Sequence, residues 1–381
     1  MSEIETERDA HLVLNALPNI GPVTMNRLVQ ELGNAQAIFD APAKRLEQVK
    51  GVGSVISATL VNWRDHFDLR REKDWMAQSG ATFVIPKDPE YPKLLREIYD
   101  PPIGLYRKGQ YDFGAPCIAI VGSRKTSLYG QAVARRLAND LARMGFCIVS
   151  GLARGIDTSA HEGALEVGGK TAGVVGCGID IVYPPENLEL YRQIEATSAI
   201  VSEFSFGRRA DRQSFPMRNR VVAGMCEATV VVETDVNGGS MITARFAGEQ
   251  GRLVFAVPGR IDQETSKGCH QLIRDGAILL TSVDDILEEL SYLNGLRPAS
   301  VAPGAADPVD DGQAERPTIG ELTSEEESVF QQLVSGAILT IDELATRSEL
   351  NAAQVSSTLM MLELKRLIVK RADGRFEARA D

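Results

Sequence analysis

Seven short runs, apolar almost from end to end, constrain this chain more than anything else in it. They are "CIAIVG", "CIVSG", "TAGVVG", "AIVSE", "ATVVVE", "LVFAVPG" and "AILLT", and all fall between residues 116 and 293. A strand wetted on one face alternates apolar and polar side chains. These runs do not alternate, so both of their faces must be covered, as in a parallel sheet. Amphipathic stretches such as "GQAVARRLANDLARMG" and "ITARFAGEQG" lie between them. Their periodicity predicts helices. Strands alternating with helices give an α/β fold built on a doubly wound parallel sheet.

Three glycine-bearing loops follow predicted strands: "VGSRKTSLYG" (Val121–Gly130), "SGLARGID" (Ser150–Asp157) and "NGGSMITAR" (Asn237–Arg245). In an open parallel sheet, loops at the carboxyl ends of the strands converge at the topological switch point. Helix N-termini there offer free N–H groups and positive partial charge. Arg124, Lys125 and Arg154 add full charges at the same rim. Three such loops on one sheet predict an anion site. Asp157 reads as a helix N-cap. A further segment, "RRADRQSFPMRNRVVAG", sets Arg208, Arg209, Arg212, Arg218 and Arg220 around Phe215. Guanidinium forks match phosphate oxygens. An aromatic ring can stack on an unpaired base, worth about 1–3 kcal/mol per base. Together these make the composition of a single-strand binding groove, with Arg218-Asn219-Arg220 at a predicted helix start.

Other chemistries are disfavoured. No GxxxxGK[ST] stretch and no GxGxxG spacing occurs, so neither a P-loop nor a standard dinucleotide cofactor is expected. No Ser-His-Asp or paired-carboxylate arrangement can be drawn, and His161 and His270 read as packing or hydrogen-bonding residues. The five cysteines, Cys117, Cys147, Cys177, Cys226 and Cys269, are scattered without a CxxC pair. They predict buried free thiols in a reducing cytoplasm, not a metal site or disulfide framework. No apolar run approaches the roughly 20 residues of a membrane span, and the acidic opening "MSEIETERDAH" is unlike a signal peptide. The net charge of −11 argues against an indiscriminate polyanion binder. The charge is uneven, though. Gly295–Glu327 holds eight acids and two arginines, whereas Phe204–Gly224 holds five arginines and one aspartate. Local sign decides where an anion docks.

The rest of the chain organises around that core. Residues 1–66 are helical in pattern. There "LPNIGPVTMNRLVQELG" and "VKGVGSVISATLVNW" each set a glycine turn before an apolar helix, as in paired helix-hairpin-helix elements (a SAM-like bundle is the neighbouring description). Residues 67–115 form a connector whose Tyr91, Leu94, Leu95, Ile98, Leu105 and Tyr106 are expected to pack on the core. The core spans 116–295. Residues 296–322, rich in Pro, Ala, Gly and Asp, read as a flexible acidic linker. Residues 323–381 read as a winged helix: three helical stretches, then a hairpin at Asp373-Gly374. Thr323 and Glu326 fit a capping box. The stretch "NAAQVSSTLMMLELKRL" stands where a recognition helix would, with no Lys or Arg in its first half.

Six motifs in order, "YPKLLREIYDPPIGLYRKG", "AIVGSRKTSLYG", "GFCIVSGLARGIDTSAHEGAL", "GCGIDIVYPPEN", "FPMRNRVVAG" and "EQGRLVFAVPG", closely resemble the DNA-processing protein A family over roughly Tyr91–Leu290. The resemblance implies a recombination mediator without established catalytic activity. Such proteins bind single-stranded DNA, protect incoming DNA in natural transformation, load a RecA-type recombinase and dimerise through a core that is an extended Rossmann-like fold. The dimer is expected near "HQLIRDGAILLTSVDDILEEL". Carried over by motif, the DNA-binding residues are Ser123, Arg124 and Lys125 in the first loop, and Gly151, Arg154 and Gly155 in the second. Phe215, Arg218, Asn219 and Arg220 follow in the basic segment, with Gly239 and Ser240 closing the rim. The rival reading is a Rossmann nucleoside-monophosphate phosphoribohydrolase, lysine-decarboxylase-like. Its PGGxGTxxE motif ends in a glutamate that "NGGSMITAR" lacks, leaving no carboxylate for the developing oxocarbenium ion. A transcription factor working through the winged helix is disfavoured by that helix's lack of basic residues.

Overall fold

The computed structural model describes residues 4–293 and, within 322–378, all but 335–336, 349, 366 and 372–373. The chain divides into two compact units, Met1–Pro298 and Ala299–Asp381. The predicted linker, 296–322, lies outside the described residues apart from Leu322.

All seven apolar runs become strands: β3 (Cys117–Val121), β4 (Cys147–Ser150), β5 (Thr171–Val175), β6 (Ala199–Ser202), β7 (Ala228–Val231), β8 (Leu253–Ala256) and β9 (Ile278–Leu279). They pair in parallel in the order β6-β5-β4-β3-β7-β8-β9. The order reverses between β3 and β7, which puts the switch point there. Strand β3 shows why its sequence does not alternate. Ile118 and Ile120 belong to one apolar cluster, with Leu137 and Leu141 of the helix Leu128–Arg143. Cys117, Ala119 and Val121 belong to another, with Tyr91, Leu95 and Val222. Each fully buried isoleucine contributes about 1.5–3 kcal/mol, so covering both faces of the sheet stabilises it twice over.

The connector contributes more than packing. It holds a helix, Leu69–Ser79, and two further strands, β1 (Thr82–Val84) and β2 (Leu105–Gly109). These extend the sheet to nine strands by antiparallel pairing of β1 on β2 and β2 on β6. The sequence hides them because β1 is only three residues long and β2 follows a proline-rich stretch. Tyr91, Leu95, Ile98, Leu105 and Tyr106 are buried as expected, with Leu94 half-buried.

Ahead of the connector, helices Glu7–Ala16, Pro22–Leu32, Ala35–Asp40, Ala43–Leu46 and Ser54–Val61 form the expected bundle. Gly21 and Gly53 are the N-caps of the second and fifth. Apolar residues of the bundle, Leu12 and Trp63 among them, share a cluster with Leu152, Val175 and Ile200 of the core.

The second unit has helices Ser324–Val334, Ile341–Ser348 and Ala352–Leu364, then the antiparallel hairpin β10 (Ile368–Lys370) and β11 (Phe376–Ala378). Thr323 and Glu326 cap each other as predicted, at 3.2 and 2.7 Å. Gly374 takes the left-handed φ of 81° that the hairpin turn needs; Asp373 lies outside the described residues. Val329, Leu333, Leu344, Leu359, Ile368 and Phe376 make this unit's own core. Three helices and a hairpin constitute a winged helix.

Candidate nucleic-acid interface

At the switch point the loops are knitted together by backbone. The Ser123 amide donates to the carbonyl of Glu233, beyond β7, at 2.6 Å, and the Ser123 carbonyl accepts from the Ile156 amide at 3.3 Å. Gly155, at φ 80°, allows this approach: a Cβ there would stand 2.3 Å from the Ser123 carbonyl oxygen. Three strand ends are thereby held at one rim.

The anions seated at this rim are the protein's own carboxylates, one at a helix start and one against loop amides. The buried carboxylate of Glu233 accepts from Thr126 Oγ1 at 2.6 Å, from the Ser127 amide at 2.8 Å and from Ser127 Oγ. It sits where the helix Leu128–Arg143 begins. In the second loop Asp157 accepts from the amides of Gly151 at 3.1 Å and Ala153 at 3.3 Å. The expectation of free loop amides is therefore corrected at both loops. Asp157 is also not the N-cap. Gly155 occupies that position, and Asp157 is the second residue of the helix Ile156–Glu166. From there its carboxylate reaches back to the loop. At the third loop Gly238 caps the helix Gly239–Glu249. Gly239 is exposed, and Asn219 Nδ2 donates to its carbonyl at 3.2 Å. Ser240 is buried, and its hydroxyl has no hydrogen-bond partner.

The basic segment also departs from expectation. Its helix runs Ser214–Gly224, so Arg218, Asn219 and Arg220 sit in its middle and not at its start. Pro216 is tolerated because it lies in the first turn, where no amide donor is required. Arg218 and Arg220 then point to different fates. The Arg218 guanidinium lies directly beneath Gly151, where a Cβ would stand 1.1 Å from Nη1; only glycine fits. Arg218 Nη1 faces Asp157 at 3.8 Å, both side chains buried. Burial pushes the Asp157 carboxyl up and the Arg218 guanidinium down, against their mutual attraction. Arg220 instead bonds the buried carboxylate of Glu203 and donates to the Asp100 carbonyl at 2.7 Å. The sequence places Arg220 among the DNA contacts; the structure turns it into the interior to neutralise Glu203.

Above Arg218 the surface is cationic and aromatic. The exposed Arg124 holds its guanidinium 5.0 Å from the ring centroid of Phe215. Tyr183 meets the same ring at 5.8 Å, tilted by 44°. Phe215 is thus half-buried and already engaged by both, not an open platform. Arg124, Tyr183, Phe215 and Arg218 line one narrow pocket with Gly151, Ala153, Gly176 and Cys177. Lys125 is exposed, its amide donating to Ser123 Oγ at 3.0 Å. Arg154 is exposed too, but its guanidinium is taken by Glu186. Sequence reasoning missed Tyr183 and Glu186. Both lie in "YPPEN", where an aromatic and an acid follow directly on a strand and its loop.

The remaining candidates are structural. His161 is fully buried, with Nδ1 2.7 Å from Thr171 Oγ1, and burial drives its ring down to about 3, so it is neutral. His270 Nε2 lies 2.9 Å from the Gly259 carbonyl. All five cysteines are free and buried. Among the described residues no group of His, Cys, Asp and Glu is placed to hold a metal ion, and no helix is long and apolar enough to cross a membrane.

Comparison with known proteins is decisive about kinship. Residues 82–291 match the family DNA recombination-mediator protein A. The chain belongs to that family. Residues 313–374 match the DprA winged helix domain. The chain is 30% identical to Protein Smf of Synechocystis over 98% of its own length and 99% of that protein's. It is 44% identical to the DNA processing protein DprA of Streptococcus pneumoniae, over 53% of this chain and 72% of the other. The X-ray structure of the pneumococcal protein superposes with a TM-score of 0.66 at 33% identity, covering 74% of this chain and 97% of that one. DNA processing protein A from Helicobacter pylori, described for its single-stranded DNA binding mode, matches with a TM-score of 0.51 at 28% identity, over 56% and 96%.

Proposed function

We propose that this protein binds single-stranded DNA at the carboxyl edge of its core sheet and acts there as a recombination mediator. The observation that carries the reading is the pocket of Arg124, Phe215, Tyr183 and Arg218 beneath Gly151. Two guanidinium groups, one buried and one exposed, meet two aromatic rings in a space also lined by Gly151 and Gly176. Forked donors suit phosphate oxygens, and an unpaired base would stack on Phe215 by taking the place that Arg124 or Tyr183 holds in the strand-free protein. Because Glu233 fills one helix start and Asp157 takes the amides of the second loop, side chains supply most of the binding charge. The contacts are Ser123, Arg124, Lys125, Arg154, Phe215, Arg218, Asn219 and the Gly239–Ser240 helix start, with Gly151 and Gly155 admitting close approach. Handing the strand to a RecA-type recombinase, protection of incoming DNA, and a homodimer near residues 270–290 belong to the same proposal, supported by the family resemblance.

A gel shift with single-strand and duplex oligonucleotides of equal length tests it. The single strand should bind more tightly, with affinity falling steeply as salt rises through counterion release. Equal affinity for both would sink the reading. Release of ribose 5-phosphate from nucleotides in the same samples would favour an enzyme instead.

A further inference from the structure

Arg154 and Glu186 raise a question the binding site leaves open. Both are about half exposed, from different loops of the same rim, and they hold each other in a direct charged hydrogen bond. Arg154 stands in the second glycine loop, after β4; Glu186 stands in the short helical turn Pro185–Asn187, after β5. The pair draws the Arg154 guanidinium up and the Glu186 carboxyl down, each first through the hydrogen bond to the other. Elsewhere on this rim the protein seats carboxylates where a phosphate would otherwise go, but Glu233 and Asp157 are buried and permanent. Glu186 is the exposed member of that set, and a solvent-facing bond is one that a ligand can exchange.

We infer that Glu186 is a specificity-determining residue: it occupies Arg154 in the strand-free protein and must be displaced by a backbone phosphate. The inference rests on the single-strand reading above. A carboxylate and a phosphate oxygen compete for one guanidinium fork. A lone phosphate gains little by exchanging one anion for another. A strand held at the same time by Arg124 and Arg218 presents its next phosphate at high effective concentration, so it wins the exchange. The cost of freeing Arg154 is the same for every ligand, so only one with further contacts, such as a continuous strand, offsets it and binds measurably. No bond is made or broken beyond hydrogen bonds.

The test is fluorescence anisotropy of the full chain with a labelled single-stranded oligonucleotide. Glu186→Gln should tighten binding by about two- to fivefold, the range of an exposed ion pair. The slope of log affinity against log salt should steepen by up to about 0.7, one single-strand phosphate contact, because no carboxylate is left to recapture a cation. In an Arg154→Ala background the same substitution should give no gain. Glu189→Gln, a neighbouring exposed acid paired with Arg192 at 3.8 Å, should leave affinity unchanged and so controls for loss of negative charge alone. Unchanged or weaker binding by Glu186→Gln, or an equal gain without Arg154, overturns this inference while the single-strand reading stands. No oligonucleotide binding by the unaltered protein overturns both.

Discussion

The carboxyl edge of the core sheet and the third helix of the winged unit both carry the local signature of a nucleic-acid reader, and they are built in opposite ways. At the sheet edge, buried carboxylates fill one helix start and one set of loop amides, and cations stand outside them: Arg124, Lys125 and Arg154 on the surface, Arg218 just beneath. In the winged unit, the helix Ala352–Leu364 begins with a capping box between Asn351 and Gln354. It then exposes Met360, Met361 and Leu364, and its thirteen residues include no Lys or Arg. A recognition helix that enters the major groove needs donors for base edges and phosphates. This one presents apolar surface. A helix start or a winged helix is a shape that permits anion binding; the side chains around it decide whether binding occurs.

The comparison breaks first if the edge's internal charges are not structural. Arg220→Ala should cost about 3–5 kcal/mol of stability, because it strands the buried Glu203 carboxylate in the interior. Urea unfolding followed by circular dichroism reads this. A loss below about 1 kcal/mol would mean that Arg220 is solvated and free for DNA, as its sequence context suggests.

The next effect is on binding. Arg124→Ala should weaken single-strand affinity at least tenfold, about 1.4 kcal/mol, since it removes charge, fork and orientation together. Arg124→Lys keeps only the charge and should be impaired as well. Anisotropy at fixed salt measures both variants. A folded Arg124→Ala protein with near-normal affinity would mean that the glycine loops do not hold DNA.

The fold was largely legible because burial on both faces of a strand leaves a plain mark: all seven unalternating runs are parallel strands. Strands β1 and β2 were not, because a three-residue strand has no period to read and antiparallel edge pairing is a tertiary event. At the site, Arg124, Phe215 and Arg218 do meet, as their motifs imply. The fate of Arg220 was illegible: residues two apart on a helix point about 200° apart, and sequence alone does not say which one meets Glu203. The self-capping by Glu233 was equally hidden, since its partners Thr126 and Ser127 lie more than a hundred residues earlier. Asp157 was visible as a residue of the helix start, but its reach back to the Gly151 amide depends on loop geometry that spacing does not encode.

The smallest expected effect separates the two regions most cleanly. A chain ending at Leu296 removes the winged unit and leaves the first compact unit essentially whole. The winged unit has its own apolar core, built from Val329, Leu344, Leu359 and Phe376, and the first unit has three of its own. The shortened chain should therefore keep its circular dichroism and unfold cooperatively. If strand binding resides at the sheet edge, its affinity for a single-stranded oligonucleotide should stay within about threefold of the full chain, under about 0.7 kcal/mol. The salt slope should stay the same, because each lost phosphate contact would flatten it by about 0.7. A folded chain with much weaker binding and a flatter slope would place phosphate contacts on the winged unit, despite the apolar surface of its third helix. Unchanged affinity and slope would leave Met360, Met361 and Leu364 without a part in strand binding and confine the phosphate contacts to the loops around Arg124.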